Sequence, residues 1–160
     1  MDNSAHLEST LERLIVENLS SQGWNIGVHS NFNLKLGLDT LEVEAFVIDT
    51  QPESWAKLIA LHGSAENART KFFHRLASEI DSRGTIDVLR KGLVDMGVKI
   101  DLAYFAPANQ LTPENLARFN ANRLTVTRQI RMSETNPNDS IDLVFFLNGV
   151  TVLEGHNDAR

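Results

Sequence analysis

Leu7, Leu11, Leu14, Ile15 and Leu19 recur at three- and four-residue spacing, so the chain opens with a predicted helix from about Ala5 to Gln22 whose apolar side chains line one face. Ser4 is a candidate N-cap and Gly23 a stop. Trp24 to His29 reads as a short strand. The stretch from Leu38 to Ile48 satisfies two periods at once: Leu41, Ala45 and Ile48 favour a helix, whereas Val43 and Val47 fit a strand. Pro52 opens a helix that carries Trp55, Leu58, Ile59 and Leu61 and ends near His62, where Gly63-Ser64 breaks it. Ala65 to Ile80 predicts another, with Ala68, Phe72, Phe73 and Leu76 inward. Ile86, Leu89, Leu93 and Met96 predict one more, from Ile86 to Met96, closed by Gly97.

After Gly97 the period shortens. Val98 to Phe105 reads as a strand. Thr112-Pro113-Glu114 is a helix start of cap, proline and dipole-favoured acid, and that helix runs to about Asn122. Leu124 to Met132 alternates like a half-exposed strand, and Asn136-Pro137-Asn138-Asp139 marks a turn region. Ile141 to Leu147 is almost continuously apolar, as in a strand buried on both faces. Asn148-Gly149 is a hairpin turn signal, Val150 to Leu153 returns as the next strand, and Glu154 to Arg160 carries no element signal. The pattern predicts one domain over residues 1–160, with a helical insertion over about 38–97 and a sheet core over 98–153.

Composition narrows the function. The 160 residues are 42 % hydrophobic, enough for a globular core, and carry a net charge of -6 with a pI near 5.3. A lone nucleic-acid binder shows a basic footprint that is missing here, so any DNA contact is expected to be local, metal-bridged or helped by other subunits. Without cysteine, disulfides, thiolate metal sites and cysteine nucleophiles are excluded. The polar, acidic opening and the lack of any apolar run of spanning length predict a cytoplasmic protein with no membrane partner.

Asp142 is the most informative residue. It sits second in Ile141-Asp142-Leu143-Val144-Phe145-Phe146, and a lone carboxylate in such a strand costs several kcal/mol, at the order-of-magnitude level, unless it is paired or metal-bound. An acid on one arm of a hairpin, facing a second acid and a lysine on the other, is the layout of a metal-dependent phosphodiesterase. There the carboxylates hold a divalent cation and the lysine stabilises developing charge.

The run Asn122-Arg123-Leu124-Thr125-Val126-Thr127-Arg128-Gln129, followed by Asp142 through Leu147 and Asn148-Gly149, resembles the N-terminal domain of type I restriction enzyme R subunits. So do His6-Leu7-Glu8-Ser9-Thr10-Leu11-Glu12 with Gly23-Trp24, and Asp49-Thr50-Gln51-Pro52 with Trp55. The resemblance spans roughly Leu7 to Gly149, and the order and spacing of its pieces carry it. It implies an α/β, restriction-endonuclease-like fold, a mixed sheet flanked by helices. It also implies a magnesium-dependent catalytic set: an acid on the first helix, an aspartate before the Asn-Gly turn, and Glu-x-Lys on the next strand. Asp142 matches that aspartate. Glu12, beside Leu11 and Ile15, is the choice for the helix acid, with Glu8 second. Glu154 stands in for the strand acid only if the strand is shortened by a couple of residues, and His156 then takes the lysine's place. No lysine follows Lys99, so the domain is expected to be cut short and inactive alone. The resemblance further implies double-stranded DNA, together with modification and specificity subunits, as partners of the full complex. ATP would drive that full subunit, yet this chain has no Gly-rich Lys-Ser/Thr phosphate loop.

Plainer readings stand beside these. Glu8 and Glu12 fit solvated helix acids, and Asp142 fits an ion pair with Arg128 or Arg131 across a hairpin. The five histidines show no metal-ligand spacing. Trp24, Trp55, Phe72 and Phe73 suit core positions. Lys71, Arg75, Arg83, Arg90 and Lys91 form either a solvated surface or a basic face for a subunit contact. The alternative function is a non-catalytic remnant or docking module that binds other restriction-modification subunits.

Overall fold

A computed structural model of the protein describes residues 3–105, 112–131 and 140–155, with side chains over residues 10, 13–105, 112–128 and 143–153. The described elements run in the order α1 (Asn3–Ser21), β1 (Asn25–Ile26), a 3-10 turn (His29–Asn31), β2 (Phe32–Asn33), β3 (Leu38–Asp39), α2 (Thr40–Thr50), α3 (Pro52–His62), α4 (Ala65–Arg83), α5 (Thr85–Lys91), β4 (Leu93–Asp95), β5 (Val98–Ile100), α6 (Pro113–Asn120), β6 (Leu124–Arg131), β7 (Ser140–Leu147) and β8 (Val150–Gly155). The protein is therefore mixed α/β.

Six strands form one sheet in the order β1-β6-β7-β8-β3-β2; β1 runs parallel to β6 and every other neighbour is antiparallel. Its two edges, β1 and β2, are joined by residues 27–31 alone. The six residue steps from Ile26 to Phe32 reach at most about 21 Å, whereas five strand spacings in a flat sheet need about 24 Å. The sheet must curl, and the joining segment crosses its inner face. There Phe32 packs on Phe146 and Val144. The opposite face of β6 and β7 carries Val126, Leu143 and Phe145, which pack against Val16 and Leu19 of α1 and against Trp24.

The larger core is helical. Val43, Phe46 and Val47 of α2, Trp55 and Leu58 of α3, Phe72, Phe73 and Leu76 of α4, and Val88 and Leu89 of α5 join Leu38, Val150, Ile100 and Leu102 in one cluster. Leu38 and Val150 are partners across β3 and β8, so this helical cluster seats on one end of the sheet while α1 seats on the other.

Four expectations need correction. The ambiguous Leu38 stretch divides: two residues pair as β3, then Asp39 caps α2 by accepting from the Glu42 N–H (3.1 Å). The helix expected to reach Met96 ends at Lys91, because Gly92 takes φ 66, ψ -160, and its bare Cα lies against the Ile100 carbonyl where a Cβ would overlap it. Leu93 and Met96 continue the three- and four-residue spacing by coincidence. They belong instead to the β4–β5 hairpin, whose Met96 and Gly97 both have positive φ, as a two-residue primed turn requires. The strand expected over Val98–Phe105 is limited to Val98–Ile100. In α1 the inward side is set by Val16 and Leu19, whereas Leu14 and Ile15, expected inward, are exposed.

Candidate functional site

The turn between β7 and β8 is held from several sides. Asn148 adopts φ 52 and Gly149 φ 81, the paired left-handed conformations that close a two-residue hairpin. Asn148 is fully buried and its amide is satisfied: Nδ2 donates to the Leu102 carbonyl (2.8 Å) and to Asn122 Oδ1 (3.0 Å), and Oδ1 accepts from the Arg123 N–H (2.6 Å). Its own N–H donates to the Arg123 carbonyl. Asn122 in turn grips both backbone groups of Tyr104. Gly149 accepts from the Asp39 N–H (2.9 Å), and a Cβ there would stand 2.5 Å from the Asp39 carbonyl oxygen and from Val43. Arg123 completes the joint through an ion pair with Glu42 at the start of α2. Further off, the Gln51 amide donates to the Asp101 carbonyl and accepts from the Asp101 N–H, like a rung of sheet.

Asp39 lies at the centre of this joint and is almost completely buried. Burial pushes its pKa up to about 6; the Glu42 N–H it accepts from and, more weakly, the Arg123 charge pull the other way, while the Glu42 carboxylate adds to the rise.

Of the residues expected to carry chemistry, Glu8 and Glu12 lie in α1, Asp142 in β7 and Glu154 in β8; the side chains of all four lie outside the described residues, as does His156 altogether. The backbone still orders them. Glu154 is the ladder partner of Val144. Positions 142 and 144 share one sheet face by the two-residue period, so position 154 is a diagonal neighbour of position 142 on the face that Val144 and Phe146 occupy. Helix α1 covers the other face of β7, with positions 8 and 12 in line with Val16 at four-residue spacing. The register thus brings Glu154 nearest to Asp142. A β-bulge between the 145 and 146 pairings of this hairpin supplies the shift that sets this register. Strand β8 runs two residues past its expected end, to Gly155.

Of the five cations read as either a solvated surface or a basic face, Arg75, Arg83 and Lys91 are paired. Arg83 bonds both Glu79 and Asp87, Lys91 bonds Asp87, and Arg75 bonds Glu79 and the Val94 carbonyl. His62 is buried against Asp95 (Nε2···Oδ2, 3.0 Å), a structural pair between α3 and β4. Among the described residues no three His, Asp or Glu side chains are grouped to hold a metal, and no helix is long and apolar enough to cross a membrane. Comparisons with protein-family models, curated proteins and solved structures found no match.

Sequence reasoning missed the joint itself. Asn122, Arg123 and Gln51 appeared only as pieces of a resemblance, and Asn148-Gly149 as a turn signal as well; the amides hold backbone, Arg123 pairs with Glu42, and Gly149 fits where a side chain cannot. A positive-φ Asn-Gly pair was the one signal that foretold it. Nothing local linked it to Leu102, 46 residues away.

Proposed function

We propose that this chain is the nuclease-type domain found at the N-terminus of type I restriction enzyme R subunits, built on a restriction-endonuclease-like sheet. Asp142 and Glu154 would supply carboxylates to a magnesium ion; Glu8 and Glu12, expected as the helix acid, belong to α1 on the other face of β7 and so stand apart from that pair. The observation that carries this reading is the diagonal register of positions 142 and 154, at the end of the β7–β8 hairpin away from its turn. Diagonal neighbours stand about 7 Å apart, a span that two carboxylates can close on a cation with bonds of about 2.1 Å. Hard carboxylate oxygens suit Mg²⁺ or Mn²⁺. The ion, when bound, would polarise a DNA phosphate and activate a water. Since no lysine follows Lys99, this sequence does not itself supply the cation that stabilises the developing charge, and it is not expected to cut DNA alone. In the full complex the partners would be double-stranded DNA and the modification and specificity subunits.

Calorimetric titration with Mn²⁺ tests the proposal. Weak binding is expected, lost in Asp142→Asn and at least tenfold weaker in Glu154→Gln; an unchanged isotherm in both variants would sink it. The acidic net charge and the ion pairs that occupy Arg83 and Lys91 favour a second reading, a non-catalytic module that docks on other restriction-modification subunits. Cleavage of plasmid by the isolated chain with magnesium would overturn that reading.

A further inference from the structure

Thr125 and Thr127 of β6 are each 1 % exposed, and among the described residues their hydroxyl oxygens have no hydrogen-bond partner. Both lie on the inner face with Val144 and Phe146, their partners across β7 being Phe146 and Val144. What covers them is the segment that crosses from one sheet edge to the other. Gly27 sits so close that a Cβ would overlap Thr127 Oγ1 and Thr125 Cγ2. The segment is lightly fastened: β1 and β2 are two residues each, Gly27 donates one hydrogen bond to the Val126 carbonyl, and Val28 is more than half exposed. Closing it strips water from two hydroxyls and returns no bond to either, so the closed state carries a penalty that opening would relieve.

We infer that residues 27–31 form a strap that swings off the inner face and uncovers the part of the sheet next to positions 142 and 154. The inference rests on the proposed site for its purpose, though not for its test. In the closed state the strap narrows access to that face; in the open state Thr125 and Thr127 regain water and the face is free to meet a phosphodiester backbone.

Amide hydrogen exchange on the intact chain decides it. The amides of Gly27 and Asn31 are expected to exchange at least tenfold faster than those of the β6–β7 ladder, which marks opening short of global unfolding. Thr127→Val keeps the shape and removes an unpaired hydroxyl, so it should slow the Gly27 amide about tenfold while leaving the ladder nearly unchanged. Gly27→Ala should speed exchange at Asn31, and adding Thr127→Ala together with Thr125→Ser, which removes both overlapping atoms, should restore it. Strap amides that exchange only with the ladder, or faster exchange in Thr127→Val, would overturn the strap. Failure of Mn²⁺ binding with selective strap exchange intact would overturn the metal site alone.

Discussion

Asp39 does two jobs that conflict. Its carboxylate caps α2, which favours charge, yet it is buried beside the Glu42 carboxylate, which disfavours charge. Its pKa, about 6 in the folded chain against an ordinary 3.8, lies above the unfolded value. The stability it contributes is therefore fully present below about pH 4 and is lost as pH rises through 6. Asp39→Asn keeps an oxygen to accept from Glu42 and removes the charge. Urea unfolding at pH 4 and pH 7 should show the native chain losing about 2 kcal/mol relative to this variant, after allowing for solvent screening. A variant that tracks the native chain across that range would show that the carboxylate is solvated.

Helix α1 illustrates what periodicity can and cannot tell. Its existence and extent follow from leucine spacing, but the spacing is broad enough to allow two faces inward. The choice falls to shape, since Val16 and Leu19 meet Val126, Leu143 and Phe145 while Leu14 and Ile15 face outward. Val16→Ala should cost about 2 kcal/mol and Leu14→Ala less than about 0.5 kcal/mol in the same unfolding assay. Strands β6 and β7 and the turn after them were legible because alternation, apolar run and Asn-Gly agree. The β4–β5 hairpin was not, since Leu89, Leu93 and Met96 mimic a helix and only the Gly92 conformation breaks it. For the site, the acids were legible as residue types in an apolar strand and on a helix. The relative register of positions 142 and 154 was not, because it depends on a bulge in the β7–β8 hairpin.

At the scale of the whole molecule, many of the described cations are spent locally. The arginines of α4 and the α5 lysine answer neighbouring acids, and the net charge stays at -6. Such a surface gives little counterion release on DNA. Filter binding with a duplex at about 50 mM salt should show no retention at micromolar protein. Tight, steeply salt-dependent retention would mean that a basic surface forms where neutral pairs now stand.

The chain's two tryptophans fall one to each core. Trp24 meets Phe145 edge-on where α1 covers the sheet, and Trp55 meets Phe72 edge-on among the helices. Replacing one indole at a time with phenylalanine turns the molecule into two optical reporters, and comparing their melting curves would reveal whether the halves come apart together or in sequence.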